Sequence, residues 1–365
     1  MGRFVKTVIA VAMLSMCLSA ENTAKTTIGG YGEIHLNGFV PDTGKIRAPK
    51  FDFHRFVLTV NRNFTEKWSF FSEVEIEHNY VEGNKASGYL ILEQAYLRWQ
   101  ISGSHDLRFG IILQPQGLLN ERHEPATFSS VERPEYHRLI LPSTWFGAGI
   151  AMGTNLLDSD LRCELFISEG LNDRKFGDKG QGIREARQKG YNSSLDNVMA
   201  TVRTDYTGFK GVKVGTSIAV NETVLDNDTS SAVRHIYQRA VIGELHAEYR
   251  YGGLTSLIEF GSIHYEKLAA RGGKLTHTQG LLVEAAYDVL KGRNGSSISL
   301  SPFVRYSRLN TSGVLSSDDA FDRIDGGIAL KPHSQIVIKA DFGREYYNDS
   351  KRNMNYVNLG AGYDF

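Results

Sequence analysis

Apolar and polar residues alternate with a period of two along most of the chain, and helical periodicity is nearly absent. Between Trp68 and His78, Phe70, Val74 and Ile76 share one face while Glu73, Glu75 and Glu77 share the other. Leu107, Phe109, Ile111 and Leu113 oppose Arg108 and Gln114 in the same manner. Val198, Ala200, Val202 and Tyr206 oppose Thr201, Arg203 and Asp205. About sixteen such segments are predicted as strands, near residues 27–40, 51–64, 68–80, 89–101, 106–114, 145–154, 159–170, 196–206, 211–223, 237–251, 254–266, 278–290, 297–309, 322–331, 335–347 and 355–365. Most have the roughly ten-residue length that a tilted strand needs to cross a bilayer.

The links alternate as regularly as the faces. Short turns (65–67, 102–105, 156–158, 207–210, 332–334) are interleaved with long polar connections, of which 114–144, the third, is the longest. Short turns on one side and long loops on the other is the pattern of outer-membrane barrels. A soluble β-sandwich competes with this reading until the last strand is considered. There Val357, Leu359, Ala361, Tyr363 and Phe365 lie on one face, and an alternating strand closing on Phe365 resembles the signal read in outer-membrane barrel assembly, carried by Tyr363 and Phe365. Trp68, Trp99, Tyr206, Tyr251 and Phe365 fall at ends assigned to the periplasmic side and Trp145 at an outer end, as interfacial aromatic girdles require. The expected fold is therefore all-β: a transmembrane antiparallel barrel of about sixteen strands, closed so that no backbone edge meets hydrocarbon.

Composition narrows the picture further. Arg3 and Lys6 followed by an apolar run from Thr7 to Leu18 read as a secretory leader, so residues 1–20 are expected to be a signal peptide and 21–365 the barrel, in the outer membrane of a Gram-negative cell. A lipoprotein signal at Cys17 is disfavoured by Met16, which stands where a small residue is wanted. Without the leader, Cys163 has no partner for an internal disulfide. Lys plus Arg and Asp plus Glu balance at 41 each in the full chain, which argues against a nucleic-acid partner. No mature segment approaches 18 consecutive apolar residues, so a membrane helix is not expected.

Strand number decides whether there is a hole: eight strands leave a filled interior, whereas sixteen leave an aqueous channel. The expected function is passive diffusion of small hydrophilic solutes or ions. The long third loop, QPQGLLNERHEPATFSSVERPEYHRLILPST, is neither glycine-rich nor of low complexity; its prolines, Leu118, Leu119, Phe128 and Leu139 to Leu141 suggest a packed element. From RFG at Arg108 through NERHEPATFSSVERP to LPSTWFGAGI ending at Ile150, the sequence resembles the phosphate-selective porin O and P family. The resemblance implies that the third loop folds into the barrel and forms the constriction.

The loop's charged residues, Arg122, His123, Glu124, Glu132, Arg133, His137 and Arg138, are the candidate constriction site. Cations there suit an anion, phosphate included, because an anion exchanges its water for charge-assisted hydrogen bonds. Their mixture with carboxylates favours the plainer reading, in which Arg122, Glu124, Glu132 and Arg133 pin the loop to the wall by ion pairs. Strand parity places Arg55, Glu73, Glu75, Glu77, Arg98, Arg108, Arg162 and Arg203 in the lumen. Strands seven to nine lean basic and ten to twelve acidic, which would set a transverse field.

A surface adhesin or receptor barrel without an open channel is the main alternative. An outer-membrane enzyme is a weaker one, since no G-x-S-x-G signature occurs. His54, His78, His105, His123 and His137 are isolated in sequence, and HEP at His123 lacks the second histidine of a zinc helix, so no metal or other cofactor is expected. The expected partners are outer-membrane lipid and lipopolysaccharide, the barrel assembly machinery and small solutes or ions. A homotrimer stays open, because a trimer interface and a lipid face have the same pattern.

Overall fold

The structure, a computed structural model, describes residues 24–41, 49–79, 88–172, 175–177, 181–191, 193, 197–223, 238–266, 276–292, 297–311 and 320–365. The expected leader, residues 1–20, lies outside the described residues. Strands β1 (Lys25–Pro41), β2 (Lys50–Asn63), β3 (Trp68–Glu77), β4 (Tyr89–Gln100), β5 (His105–Leu113), β6 (Phe146–Leu156), β7 (Leu161–Glu169) and β8 (Asn197–Tyr206) make the first half. The second half is β9 (Val212–Thr223), β10 (Gln238–Tyr251), β11 (Leu254–Glu266), β12 (His277–Tyr287), β13 (Ser299–Asn310), β14 (Ala320–His333), β15 (Ile336–Tyr347) and β16 (Met354–Asp364). Every strand pairs antiparallel with its sequence neighbours, and β1 pairs with β16 from Tyr31↔Asp364 to Pro41↔Met354, which closes the barrel. The seam ends with reciprocal bonds between Gly30 and Phe365, at 3.0 and 2.9 Å.

Alternation sorts the two faces. On β10 and β11, Leu245, Ile258 and Phe260 are exposed on the outside, while Glu244, His246, Glu248 and Glu259 are buried within. Exposed aliphatic side chains continue round the outside through Ile150, Ile218, Val304 and Leu359. Such a continuous apolar belt is stable only against hydrocarbon. Trp68 and Trp99 stack at 5.7 Å, one ring on each of two paired strands, at the end where the links are short.

Two local expectations fail. Strand β3 stops at Glu77, three residues early, because His78 and Asn79 take positive φ (57° and 39°) and turn the chain. Trp145 does not belong to an outer girdle: it is 2% exposed and packs in a core made by the third loop and the wall, the larger apolar burial being available inside.

Candidate functional site

The third outer loop runs from Gln114 to Trp145, between β5 and β6, with a 3-10 helical turn at Pro125–Thr127 and one α-helical turn, α1 (Tyr136–Leu139). Its base is tied by Asn120, whose Nδ2 donates to the carbonyls of Gln114 and Trp145 at 2.7 and 2.8 Å and whose Oδ1 accepts from Trp145 N–H at 2.7 Å. From there the loop bonds to inward-facing side chains around most of the circumference. Arg203 on β8 donates to the Gly117 carbonyl at 2.8 Å, and Leu118 N–H donates to Glu259 on β11 at 3.1 Å. Arg122 pairs with Glu248 on β10 at 3.0 Å, and Ser129 donates to Glu284 on β12 at 2.6 Å. On the far side Lys339 of β15 donates to the Ser130 carbonyl at 2.8 Å, and Val131 N–H donates to Asp341 at 2.5 Å. Glu132 accepts from Asn37 on β1 at 2.7 Å and bonds His35 at 2.8 Å. A segment bonded to β1, β8, β10, β11, β12 and β15 at their inner faces lies within the lumen.

Apolar packing fixes which part of the lumen it fills. Tyr136, Leu139, Ile140, Leu141 and Trp145 bury themselves with Leu171, Phe176 and Ile183 of the next outer connection. The opposing wall is apolar there: Met199, Ala219, Ile242, Ile263, Leu282 and Leu309 replace the charged residues found lower on the same inner faces. Gly261 and Gly280 make room for this approach. A Cβ on Gly261 would stand 2.5 Å from Tyr136 Oη, and one on Gly280 would stand 2.7 Å from Ile140 Cγ1.

What is left is a cavity of about 320 Å³ between the loop and the β1–β4 wall. One side carries Arg133 and Arg138 from the loop with Arg184, Arg187 and Lys189 from the connection between β7 and β8. Arg133 donates to Ser143 Oγ at 3.1 Å, and Arg187 donates to the carbonyls of Ser143 and Thr144 at 3.2 and 3.0 Å. Burial and then the positive field of Arg184 push the Arg187 guanidinium down to about 9. Burial, Arg133 and Arg138 lower Arg184 as well. The other side carries His35, His54 and Glu132 with Glu33, Glu75, Glu77 and Glu93 of the wall. Burial works against ionisation of Glu132, but the hydrogen bond and charge of His35 prevail, with help from Asn37, and hold it at about 2.

The candidate residues thus separate by role. Arg122 and Glu132 meet the wall directly, and His137 reaches Glu259 at 3.1 Å. Arg133 and Glu124 do not match the pinning expectation: Arg133 bonds within its own loop, and Glu124 precedes the helical turn at Pro125 without a side-chain cap. Arg138 pairs with Glu135 at 2.7 Å, three residues away, on the cavity side. His123 stands between Glu73 and Glu93.

Wall residues meet neighbours of opposite sign: Arg55 bonds Glu33 at 2.5 Å, Arg98 reaches Asp106 at 3.3 Å, Arg162 reaches Glu164 at 3.1 Å and Arg203 bonds Asp205 at 2.7 Å. Arg108 also pairs with Glu164. Glu75 lies 3.9 Å from Arg55, and Glu77 lines the cavity. Buried Glu164 and Asp205 therefore offset the basic residues of β7 to β9, so those strands do not form the basic half of the expected transverse field. Arg184, Arg187 and Lys189 were not legible as site residues, since they lie outside the loop that carries the family resemblance; their close basic spacing was the available signal.

A closed sixteen-strand barrel with an apolar outer belt and a loop-narrowed polar interior defines an outer-membrane channel of the porin type. The sequence profile of "Phosphate-selective porin O and P" matches residues 31–184, and the chain belongs to that family. An uncharacterized protein of Aquifex aeolicus (strain VF5) is 31% identical over 356 residues, which cover 90% of this chain and 78% of that protein. Among solved structures, the anion-selective porin from Comamonas acidovorans superposes with a TM-score of 0.58 at 12% identity, covering 94% of this chain and 100% of that one. In-vitro folded OmpT, an outer membrane protein of Vibrio cholerae in a trimer form, gives 0.58 at 14% identity over 94% and 100%. At these identities the two structures share the fold.

Proposed function

We propose that this porin favours small anions, and that the third loop with the β7–β8 connection sets the preference at the cavity they line. The observation that carries the reading is the convergence of Arg133, Arg138, Arg184, Arg187 and Lys189 on one space of about 320 Å³. Glutamates line the opposite side of the same space, so the preference rests on placement rather than net charge. Arg133 and Arg138 lower the proton affinity of Arg184, and Arg184 that of Arg187, and an anion entering on that side is stabilised by these neighbouring cations. Planar forks also suit oxyanions, which makes phosphate a better ligand than chloride. The anion-selective porin of similar fold is consistent with this preference.

Transport is passive and involves no catalytic step, a reading supported by the family. A homotrimer is the favoured assembly, by analogy with the trimer form of the Vibrio protein. The test is zero-current potential across a planar bilayer under a potassium chloride gradient. Wild type is expected to select chloride, with current reduced by added phosphate. The triple change Arg133→Gln, Arg184→Gln, Arg187→Gln should move the potential toward cations and abolish the phosphate effect. Unchanged selectivity in the triple variant would remove the cavity from the ion path.

A further inference from the structure

Beneath the third loop, at the edge of the arginine cavity that Glu93 also lines, three buried side chains face one another without hydrogen bonding. His123 Nε2 lies 3.4 Å from Glu93 Oε2 and 3.6 Å from Glu73 Oε1. All three residues are at most 3% exposed. Both His123 Nε2 and Glu93 Oε2 are buried with no hydrogen-bond partner. Orphaned polar atoms of this kind are costly, so two of them aimed at one point need a reason.

The rest of the site fixes these groups rather than satisfying them. His123 Nδ1 is 2.9 Å from the Asn120 carbonyl, which can only accept, so Nδ1 carries a proton and it is Nε2 that is left to offer a lone pair when the ring is neutral. Tyr31 Oη donates to Glu73 Oε1 at 2.9 Å, and Gln94 donates to Glu73 Oε2 at 2.5 Å. Glu93 is present at all because of a bulge: Val74 pairs with Leu92 and Glu73 with Gln94, leaving Glu93 as the extra residue and turning it inward. Glu75, also buried, brings a third carboxylate to the same wall. The adjacent guanidinium of Arg55 is committed to Glu33 and to the His123 carbonyl, both at 2.5 Å. Glu33, Glu73, Glu75 and Glu93 are buried together here, against Arg55 and the more distant Arg133 as the nearby guanidinium groups.

We propose that Glu73, Glu93 and His123 bind one divalent first-row transition ion of the zinc class, which staples the third loop to β3 and β4. Nitrogen and carboxylate ligands about 2.1 Å from a tetrahedral ion stand about 3.4 Å apart, which is the separation that His123 Nε2 keeps from the two carboxylates. One imidazole with two carboxylates suits zinc, cobalt or manganese rather than calcium or magnesium. The carbonyl that holds Nδ1 and the tyrosine that holds Glu73 are the outer partners such ligands normally have. The competing arrangement, an imidazolium shared between two carboxylates, would draw one oxygen to hydrogen-bond distance.

The test uses the full mature barrel, folded in detergent after chelator treatment and titrated with zinc by calorimetry and with cobalt by visible absorption. One equivalent is expected to bind, the cobalt form showing the intense visible bands of a tetrahedral site. Glu93→Gln and His123→Gln should each weaken binding at least tenfold, while Glu222→Gln, on the exposed rim of β9, should not. Bound zinc should also slow tryptic cleavage within the third loop. Glu93→Gln preserves shape, so it decides the matter even if the histidine variant does not fold. Absence of stoichiometric binding at millimolar metal, or equal binding by wild type and Glu93→Gln, would overturn the proposal in favour of the shared imidazolium.

Discussion

Tyr136 offers a quantitative probe of loop docking, because its ring and its hydroxyl make separable contributions. The side chain is fully buried among Ile140, Leu141 and residues of the opposing wall, yet its Oη has no hydrogen-bond partner. Tyr136→Phe removes only an unsatisfied hydroxyl and should cost less than about 1 kcal/mol, or be slightly stabilising. Tyr136→Ala removes the ring from a packed site, for which large-to-small changes cost about 3–5 kcal/mol. The strands keep their own pairing, so this loss falls on docking of the loop. At about 1.4 kcal/mol per factor of ten, the released fraction rises by roughly a hundredfold to a few thousandfold. Single-channel recordings should show Tyr136→Phe conducting like wild type, while Tyr136→Ala flickers to a larger conductance. Trypsin should cut the alanine variant faster at Arg138, which is followed by Leu139. A Tyr136→Ala protein with wild-type conductance and protease resistance would show that the loop is held independently of this core, and the docking argument would fail.

Arg55 is fully buried between Glu33 and the His123 carbonyl, so Arg55→Met takes the guanidinium from buried Glu33 and leaves it His35 at 3.3 Å; a loss of up to about 3–5 kcal/mol should appear as a lower temperature for the heat-induced gel shift. Replacing Phe365 with Ser removes its ring from the stack on Phe56 at 5.8 Å beside the β1–β16 seam, and pulse-chase should show slower barrel assembly with export unaffected. For Glu132 the folded carboxyl is held at about 2, below its ordinary 4.5, so its contribution is present above about 4.5 and disappears as pH falls toward 2. Because that side chain is 38% exposed, solvent screening limits the effect to under about 1 kcal/mol, and channel noise should rise modestly in this acid window in wild type but not in Glu132→Gln.

The number of strands, their order and the face on which Arg55, Glu73, Arg108 and Arg203 lie were legible from alternation alone. Alternation is a property of each strand by itself, and a closed antiparallel meander leaves one way to stack it. The third loop as the candidate constriction was legible too, from its length and from the residues it shares with its family. The membership of the site was not. Arg133 meets Arg184 and Arg187, and His123 meets Glu73, only because closure brings together residues far apart in the chain. Glu93 escaped strand parity because one bulge opposite Glu73 reverses it locally, and no periodic rule signals where a ladder will slip by one residue. Trp145, an interfacial ring by its position, was taken inward by an apolar wall that exists only once β8 to β13 stand side by side. Local pattern determined the barrel, and tertiary contact determined which charges share its interior, because burial and Coulomb energies depend on neighbours that closure alone supplies.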